Sequence, residues 1–307
     1  MNEKPLVSII TPSFNQAKFL EQTITSVLNQ DYPNLEYLVV DGGSVDGSQD
    51  IIKKHAAKLK WWVSEPDRGQ ADAINKGFQR ARGEYVAWLN SDDYYLPDAI
   101  SKVVNVFQSH PDLSLVYGNV LAVNGSGNII NHLRYQQWKL EDLMKFNIIG
   151  QPSVFIRRAY LQKSGLLNLS YQYLLDHQLW LRLALQAPMI YLPEELSAAR
   201  FHSQSKSMAK AGDFGAEAYR IVQWLEITPA FKLRYEENKN KIWAGAHRFN
   251  ARYLLDGNQP RQAFQAYLQC LRSDFSTGLR EWYRIVFAFI SMLGLGRLGR
   301  LHPRWRK

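Results

Sequence analysis

Glu84-Tyr85-Val86-Ala87-Trp88-Leu89-Asn90-Ser91-Asp92-Asp93 reads as an apolar, aromatic-rich strand that runs straight into a short acidic turn, with Pro97 just beyond, where a new helix can begin. Two adjacent carboxylates at the exit of a buried strand repel each other, and desolvation adds to the cost. A divalent cation resolves that conflict. Hard oxygen ligands suit Mg2+ or Mn2+, which bind through one or two carboxylates while waters and substrate phosphates complete the shell. An arbitrary Asp-Asp pair is more often a solvated turn or a helix N-cap, so its neighbours must decide.

Upstream, Leu6 to Thr11 is a short apolar run fit for a central strand, followed by the turn Pro12-Ser13-Phe14-Asn15. A helical pattern through Phe19, Leu20, Ile24, Val27 and Leu28 comes next. Leu35 to Val40 is a second strand, ending at Asp41-Gly42-Gly43-Ser44-Val45-Asp46-Gly47-Ser48. After another helix come a strand at Trp61-Trp62-Val63, the loop Pro66-Asp67-Arg68-Gly69-Gln70, and a helix through Ala73, Ile74 and Phe78. Strand, loop and helix thus alternate four times, which implies a mainly parallel, right-handed α/β sheet with its ligand site beyond the carboxyl ends of the strands. Phe14-Asn15, Asp41, Arg68 and Asp92-Asp93 stand at those four ends. No GxGxxG follows any of these four strands and GxxxxGK[ST] is absent, which argues against a dinucleotide site or a P-loop at their ends.

These motifs, Thr11-Pro12-Ser13-Phe14-Asn15, Val39 to Ser48, Ser64 to Gln70 and Leu89 to Asp93, resemble in order and spacing those of family 2 glycosyltransferases with the GT-A fold. The resemblance covers about two thirds of the chain. It implies a mixed, mainly parallel sheet flanked by helices, with an α-helical C-terminal extension, and inverting transfer of a sugar from a nucleotide donor, usually a UDP-sugar. By the same resemblance Pro12, Phe14 and Asn15 line the base and ribose, Asp41 accepts a hydrogen bond from the pyrimidine, and Arg68 and Ser91 complete the nucleotide site. The first acidic position of the family's DxD is Asn90 here. Asp92 is therefore expected to carry Mn2+ or Mg2+, with Asp93 supporting it or facing elsewhere. Without the resemblance, Asp41, Asp46 and Gly47 read equally as turn chemistry, Phe14 as a core plug, and Arg68 as half of a surface ion pair.

Further on, Leu115 to Asn119 is a strand, Asn124-Gly125-Ser126-Gly127-Asn128 a hairpin-like turn, and Val154 to Arg158 a strand entered through Gly150-Gln151-Pro152. Tyr173 to Leu183 has helical spacing with Asp176 in its first turn, where the helix dipole favours a carboxylate whatever its purpose. The resemblance makes Asp176 the catalytic base, with Leu175 replacing the first acid of the family's pair. Arg200 to Ser207 reads as a polar loop, and by resemblance it folds over the diphosphate with His202 as metal ligand or phosphate contact. The expected division is a catalytic domain over 1–204 and a helical, basic region over 205–307.

The chain has 307 residues and a formal charge of +9. Residues 205–307 hold 18 Lys+Arg against 8 Asp+Glu, a net of +10, which leaves −1 for the rest. No nucleic-acid motif accompanies this charge, and attraction to anionic headgroups explains it with fewer assumptions. The single cysteine, Cys270, excludes an internal disulfide framework. The polar N-terminus shows no signal peptide, and no apolar run reaches the roughly 18–20 residues that span a bilayer, so the expected location is cytoplasmic. Ala246 to Leu271 resembles one TPR-like helical hairpin. The stretch from Arg280, aromatic and then basic, fits either an interfacial anchor at the inner face of the membrane or a packed helix with a solvated basic end. The expected partners are a nucleotide-sugar donor and a glycan or lipid-linked acceptor. A nucleotide-sugar-binding pseudoenzyme is the rival reading.

Overall fold

A computed structural model of the chain describes residues 4–202 and 213–294. It separates into two compact units, Met1–Lys139 with Ile149–Phe201, and Leu140–Ile148 with His202–Lys307.

The first unit is built on β1 (Val7–Ser13), all seven of whose residues are buried. A strand covered on both faces sits at the centre of a sheet, and β1 pairs in parallel with β2 (Leu35–Asp41) on one side and β4 (Tyr85–Trp88) on the other, while β3 (Trp61–Ser64) extends the sheet beyond β2. Helices α1 (Ala17–Leu28), α2 (Ser48–His55), α3 (Gln70–Arg80) and α4 (Ala99–Ser109) alternate with these strands. Gly77 lets α3 lie close on β1, because a Cβ there would come within 2.4 Å of Ile10 Cγ2. The second half of the sheet is mixed. β8 (Val154–Arg157) runs antiparallel to both β4 and β6 (Leu115–Asn124), β9 (Met189–Phe201) runs parallel to β6, and β5 (Tyr94–Tyr95) closes the far edge. β7 (Ile129–Leu133) forms the expected hairpin with β6. Helices α6 (Arg158–Ser164) and α7 (Leu175–Gln186) complete the unit, and Trp88 of β4 stacks on Trp180 of α7 at 5.2 Å.

Two sequence expectations change here. β6 runs five residues past Asn119, because its pairing with β9 continues to Asn124 opposite Phe201. Arg200 and Phe201 therefore belong to that strand rather than to a loop, while Ser203 to Ser207 lie outside the described residues.

The second unit contains α5 (Leu140–Met144), α8 (Phe214–Ile227), α9 (Pro229–Asp256), α10 (Pro260–Ser273), α11 (Phe275–Leu279) and α12 (Trp282–Met292). The expected boundary at 204 placed residues 140–148 in the catalytic domain. They join the helices instead, because Arg248 Nη2 donates to the carbonyls of Lys145 (3.2 Å) and Phe146 (3.1 Å) and to Asn147 Oδ1 (3.1 Å). The hairpin of α9 and α10 turns at Gly257-Asn258, with Asn258 in the left-handed region at φ 57°.

Candidate active site

Parallel register brings the four strand ends to one edge. Ser13, Asp41 and Ser64 are aligned across β1, β2 and β3. On the other side Trp88 lies opposite Ile10, and Leu89 N–H continues the ladder to the Ile10 carbonyl at 2.9 Å.

At that edge the Asp41 carboxylate is fully buried and organises the β2–α2 loop. Oδ2 accepts from the N–H groups of Gly43 (3.1 Å) and Ser44 (2.9 Å) and from Ser64 Oγ (2.6 Å), while Oδ1, among the described residues, accepts from Ser44 Oγ (2.5 Å) alone. The loop held this way caps the neighbouring helix. Backbone N–H groups at the start of a helix have no partner within it. Those of Asn15, Gln16 and Ala17 donate in turn to Ser44 Oγ (2.7 Å), Ser48 Oγ (3.0 Å) and Asp46 Oδ2 (2.9 Å), and Asn15 Oδ1 accepts from Val45 N–H (3.0 Å). Asn15 adopts φ 52°, a conformation Asn tolerates better than most side chains. The serines and aspartates after Asp41 thus serve turn and cap chemistry, and they fix Asn15 beside Asp41. Pro12 is buried within β1, whereas Phe14 is 60% exposed at the same edge.

The acidic turn after β4 is built from amides. Gln70, the first residue of α3, donates through Nε2 to Asn90 Oδ1 (2.7 Å). Asn90 Nδ2 donates to Gln151 Oε1 (3.0 Å) and Asp93 Oδ2 (3.3 Å), and Gln151 Nε2 donates to the Trp88 carbonyl (2.8 Å). From below, Thr23 Oγ1 donates to the carbonyls of Ser91 (2.9 Å) and Asp93 (2.6 Å). Ser91 is buried and Asp92 half-buried. Asp93 turns inward, where Oδ1 accepts from Arg200 N–H of β9 at 3.0 Å. Burial, then the charge of Asp92, push its carboxyl well above the ordinary range, and the bonds from Arg200 and Asn90 only partly oppose them. Arg200 itself donates to the Asp92 carbonyl (3.0 Å), the Asn124 carbonyl (3.2 Å) and Gln22 Oε1 (2.7 Å).

Asp176 is half-buried in the first turn of α7, and its Oδ1 accepts from His177 N–H at 2.7 Å. Burial, and after it the Asp176 carboxylate, push the Tyr135 phenol above its usual range, so Tyr135 is a neighbour of Asp176. Tyr135 also reaches the Gln151 segment, since a Cβ on Gly150 would lie 2.6 Å from its hydroxyl. Arg68 is turned to solvent and pairs with Asp72 at 2.8 Å, the surface ion pair that the sequence also allowed. His202, half-buried, follows the end of β9. Among the described residues no three His, Cys, Asp or Glu side chains gather closely enough to hold a metal, so Asp92, Asp93 and His202 do not form a three-ligand set. The reason for Asp93 is its inward bond to β9.

The family model described as Glycosyl transferase family 2 matches residues 8–163, which contain the whole edge just described up to Gln151. The chain belongs to glycosyl transferase family 2. This family 2 chain is 29% identical over 215 residues, 66% of its length, to an uncharacterized glycosyltransferase of Rickettsia felis, and spans only 35% of that longer relative. Its fold is that of TarS from S. aureus, solved with UDP-GlcNAc (TM-score 0.61, 15% identity, covering 90% of this chain and 91% of that one). It is also that of the mannosyltransferase PcManGT from Pyrobaculum calidifontis, solved with GDP-Man and Mn2+ (TM-score 0.60, 18% identity, covering 100% and 89%). The architecture is therefore GT-A.

Three residues at this family 2 site carried no assignment from the sequence. Gln70 and Gln151 stood inside motifs whose other members drew attention, and their role as clamps on Asn90 needs contacts 20 and 61 residues apart. Tyr135 stands in an irregular segment with no periodicity to mark it.

Proposed function

We propose that the chain is an inverting glycosyltransferase that moves a sugar from a nucleoside diphosphate donor, a UDP-sugar, to a hydroxyl of a glycan or lipid-linked acceptor in cell-surface polysaccharide or glycolipid assembly. The observation that carries this reading is the alignment of four strand ends on one edge, with Asp41, Asn15 and the Asn90–Asp93 turn locked there by hydrogen bonds. Membership of family 2 supports the reaction class.

In this reading the exposed Phe14 ring lies against the base, and Asn15 and Pro12 shape the ribose side. Asp41 Oδ1, with a single hydroxyl partner, keeps a lone pair for the imide N–H of uracil. Arg68 and Ser91 border the phosphates, Arg68 exchanging Asp72 for the donor's negative charge. One protein carboxylate at the edge, Asp92, suits Mn2+ or Mg2+ only where the donor's phosphates complete the shell, as these ions commonly require. When bound, such a cation neutralises charge on the departing diphosphate. By the family resemblance His202 is the proposed contact to the diphosphate or its cation. Asp176 takes the proton of the acceptor hydroxyl as that oxygen bonds to the anomeric carbon, while the bond from that carbon to the diphosphate breaks on the opposite face. The amides of Gln70, Asn90 and Gln151 hold the turn still during this exchange.

A thermal-shift panel of nucleotide sugars with and without Mn2+ identifies the donor, and release of nucleoside diphosphate in the presence of acceptor sugars measures transfer. Asp176→Asn is expected to lower transfer by at least about 100-fold while leaving nucleotide binding intact, since general bases contribute on the order of 10²–10⁴ in rate. Full activity in that variant removes the base from the scheme. Donor binding without transfer to any acceptor favours the pseudoenzyme reading, for which Asn90 and Leu175 are the motivating departures.

A further inference from the structure

We propose that the outer face of α12 docks the helical unit onto an anionic lipid bilayer, an interaction independent of the transfer chemistry. Trp282, Val286, Phe289 and Leu293 are 56%, 40%, 43% and 57% exposed. Their spacing of four, three and four residues puts them within an arc of about 60° on a helix of 3.6 residues per turn.

The strip is presented by a helix that is well seated on its other side. Ala288 is fully buried and Ile285 packs with it against Ala263, Ala266 and Tyr267 of α10. Buried Glu281 at the N-terminal end of α12 pairs with Arg252 of α9 and with Arg284. Packing by one face leaves the opposite edge apolar and wet, and Phe275 and Leu279 of α11 are exposed as well.

Charge selects the occupant. From Trp282 to Lys307 the sequence holds Arg284, Arg297, Arg300, Arg304, Arg306 and Lys307 and no Asp or Glu. The last five, with Trp305, lie outside the described residues and enter by composition alone. A second copy of the chain on this strip would present a segment of the same net positive composition, with no gain in charge complementarity. A bilayer with acidic headgroups offers both an apolar layer for Trp282, Val286, Phe289 and Leu293 and negative charge that complements the net positive composition of residues 282–307. No helix among the described residues is long and apolar enough to cross the membrane, so the contact is with the surface.

The test is flotation of the full chain with vesicles of phosphatidylcholine alone and of phosphatidylcholine mixed with phosphatidylglycerol, at low and high salt. Expected are flotation with the mixed vesicles, a large loss at high salt, and little flotation with phosphatidylcholine alone. Val286→Glu with Leu293→Glu should lower the bound-to-free ratio at least tenfold. The milder Trp282→Gln should lower it severalfold, with the helical circular dichroism of both variants unchanged. Equal flotation on neutral vesicles, retention by both variants, or a concentration-dependent dimer that these substitutions dissociate in the absence of lipid binding would each overturn the proposal.

Discussion

Replacing Asp41 separates its structural from its binding role. The carboxylate is fully buried and accepts four hydrogen bonds, two from backbone N–H groups that cannot turn away and two from serine hydroxyls that can rotate. A buried donor left unpaired costs roughly 1–3 kcal/mol. In Asp41→Ala the two stranded N–H groups, partly rescued by water entering the vacated space, are therefore expected to cost about 2–4 kcal/mol. Asp41→Asn keeps one acceptor oxygen and loses the charge, for a cost of about 1–2 kcal/mol. Urea unfolding followed by circular dichroism measures both. Ser44 Oγ connects Asp41 to the Asn15 N–H, so Ser44→Ala and Asp41→Asn should not add: coupling of about 0.5–3 kcal/mol is expected from a double-mutant cycle on stability. The same cycle on UDP binding should show coupling as well, because Asn15 moves when Ser44 is released. A cost below about 1 kcal/mol for Asp41→Ala, or additive single effects, would refute the hydrogen-bonded series from Asp41 to Asn15.

Other consequences are simpler to state. Gly77→Ala places a Cβ 2.4 Å from Ile10 Cγ2. Overpacking of roughly 1–3 kcal/mol should exceed the ~1 kcal/mol gain in helix propensity, and a variant with a higher urea midpoint than the wild type would contradict the close seat of α3 on β1. Asn90→Asp turns a carboxylate oxygen toward Asp93 Oδ2 and Gln151 Oε1, and should destabilise the chain by about 1–3 kcal/mol at neutral pH. That penalty should shrink as acid protonates the new group, and an unchanged pH profile of stability counts against the amide clamp. Arg68, by its hydrogen bond, holds the Asp72 carboxyl below its usual range. The pair therefore adds stability above the ordinary carboxylate pKa, and that stability is lost as pH falls through the depressed one. In Arg68→Ala, carbon-detected titration should find Asp72 moved up toward the ordinary value.

The alternating elements were legible because periodicity is local. β1, α1, β2, β3 and β4 follow the pattern of apolar residues within a residue or two, since burial on two faces or on one helical stripe is written into consecutive positions. The candidate site was legible only as a set of loop positions. Of the adjacent pair Asp92 and Asp93, nothing in the turn itself tells which carboxylate turns inward. The choice falls to an Arg200 N–H 107 residues later. Arg68, a candidate phosphate contact by position, finds Asp72 one helical turn away, an outcome that its local sequence already permitted.

From residues alone come the alternation of strands and helices in the first half, the family resemblance, the four loops that carry polar groups, and the excess of positive charge after residue 204, because each depends on near neighbours or on composition. Folding adds the partners of those groups: serines of one loop capping the helix of another, two glutamines clamping Asn90, Tyr135 beside Asp176, and an apolar strip left uncovered on α12. Hydrogen bonds and desolvation act between atoms a few ångströms apart, however many residues lie between them, so these pairings arise only once the chain is closed on itself.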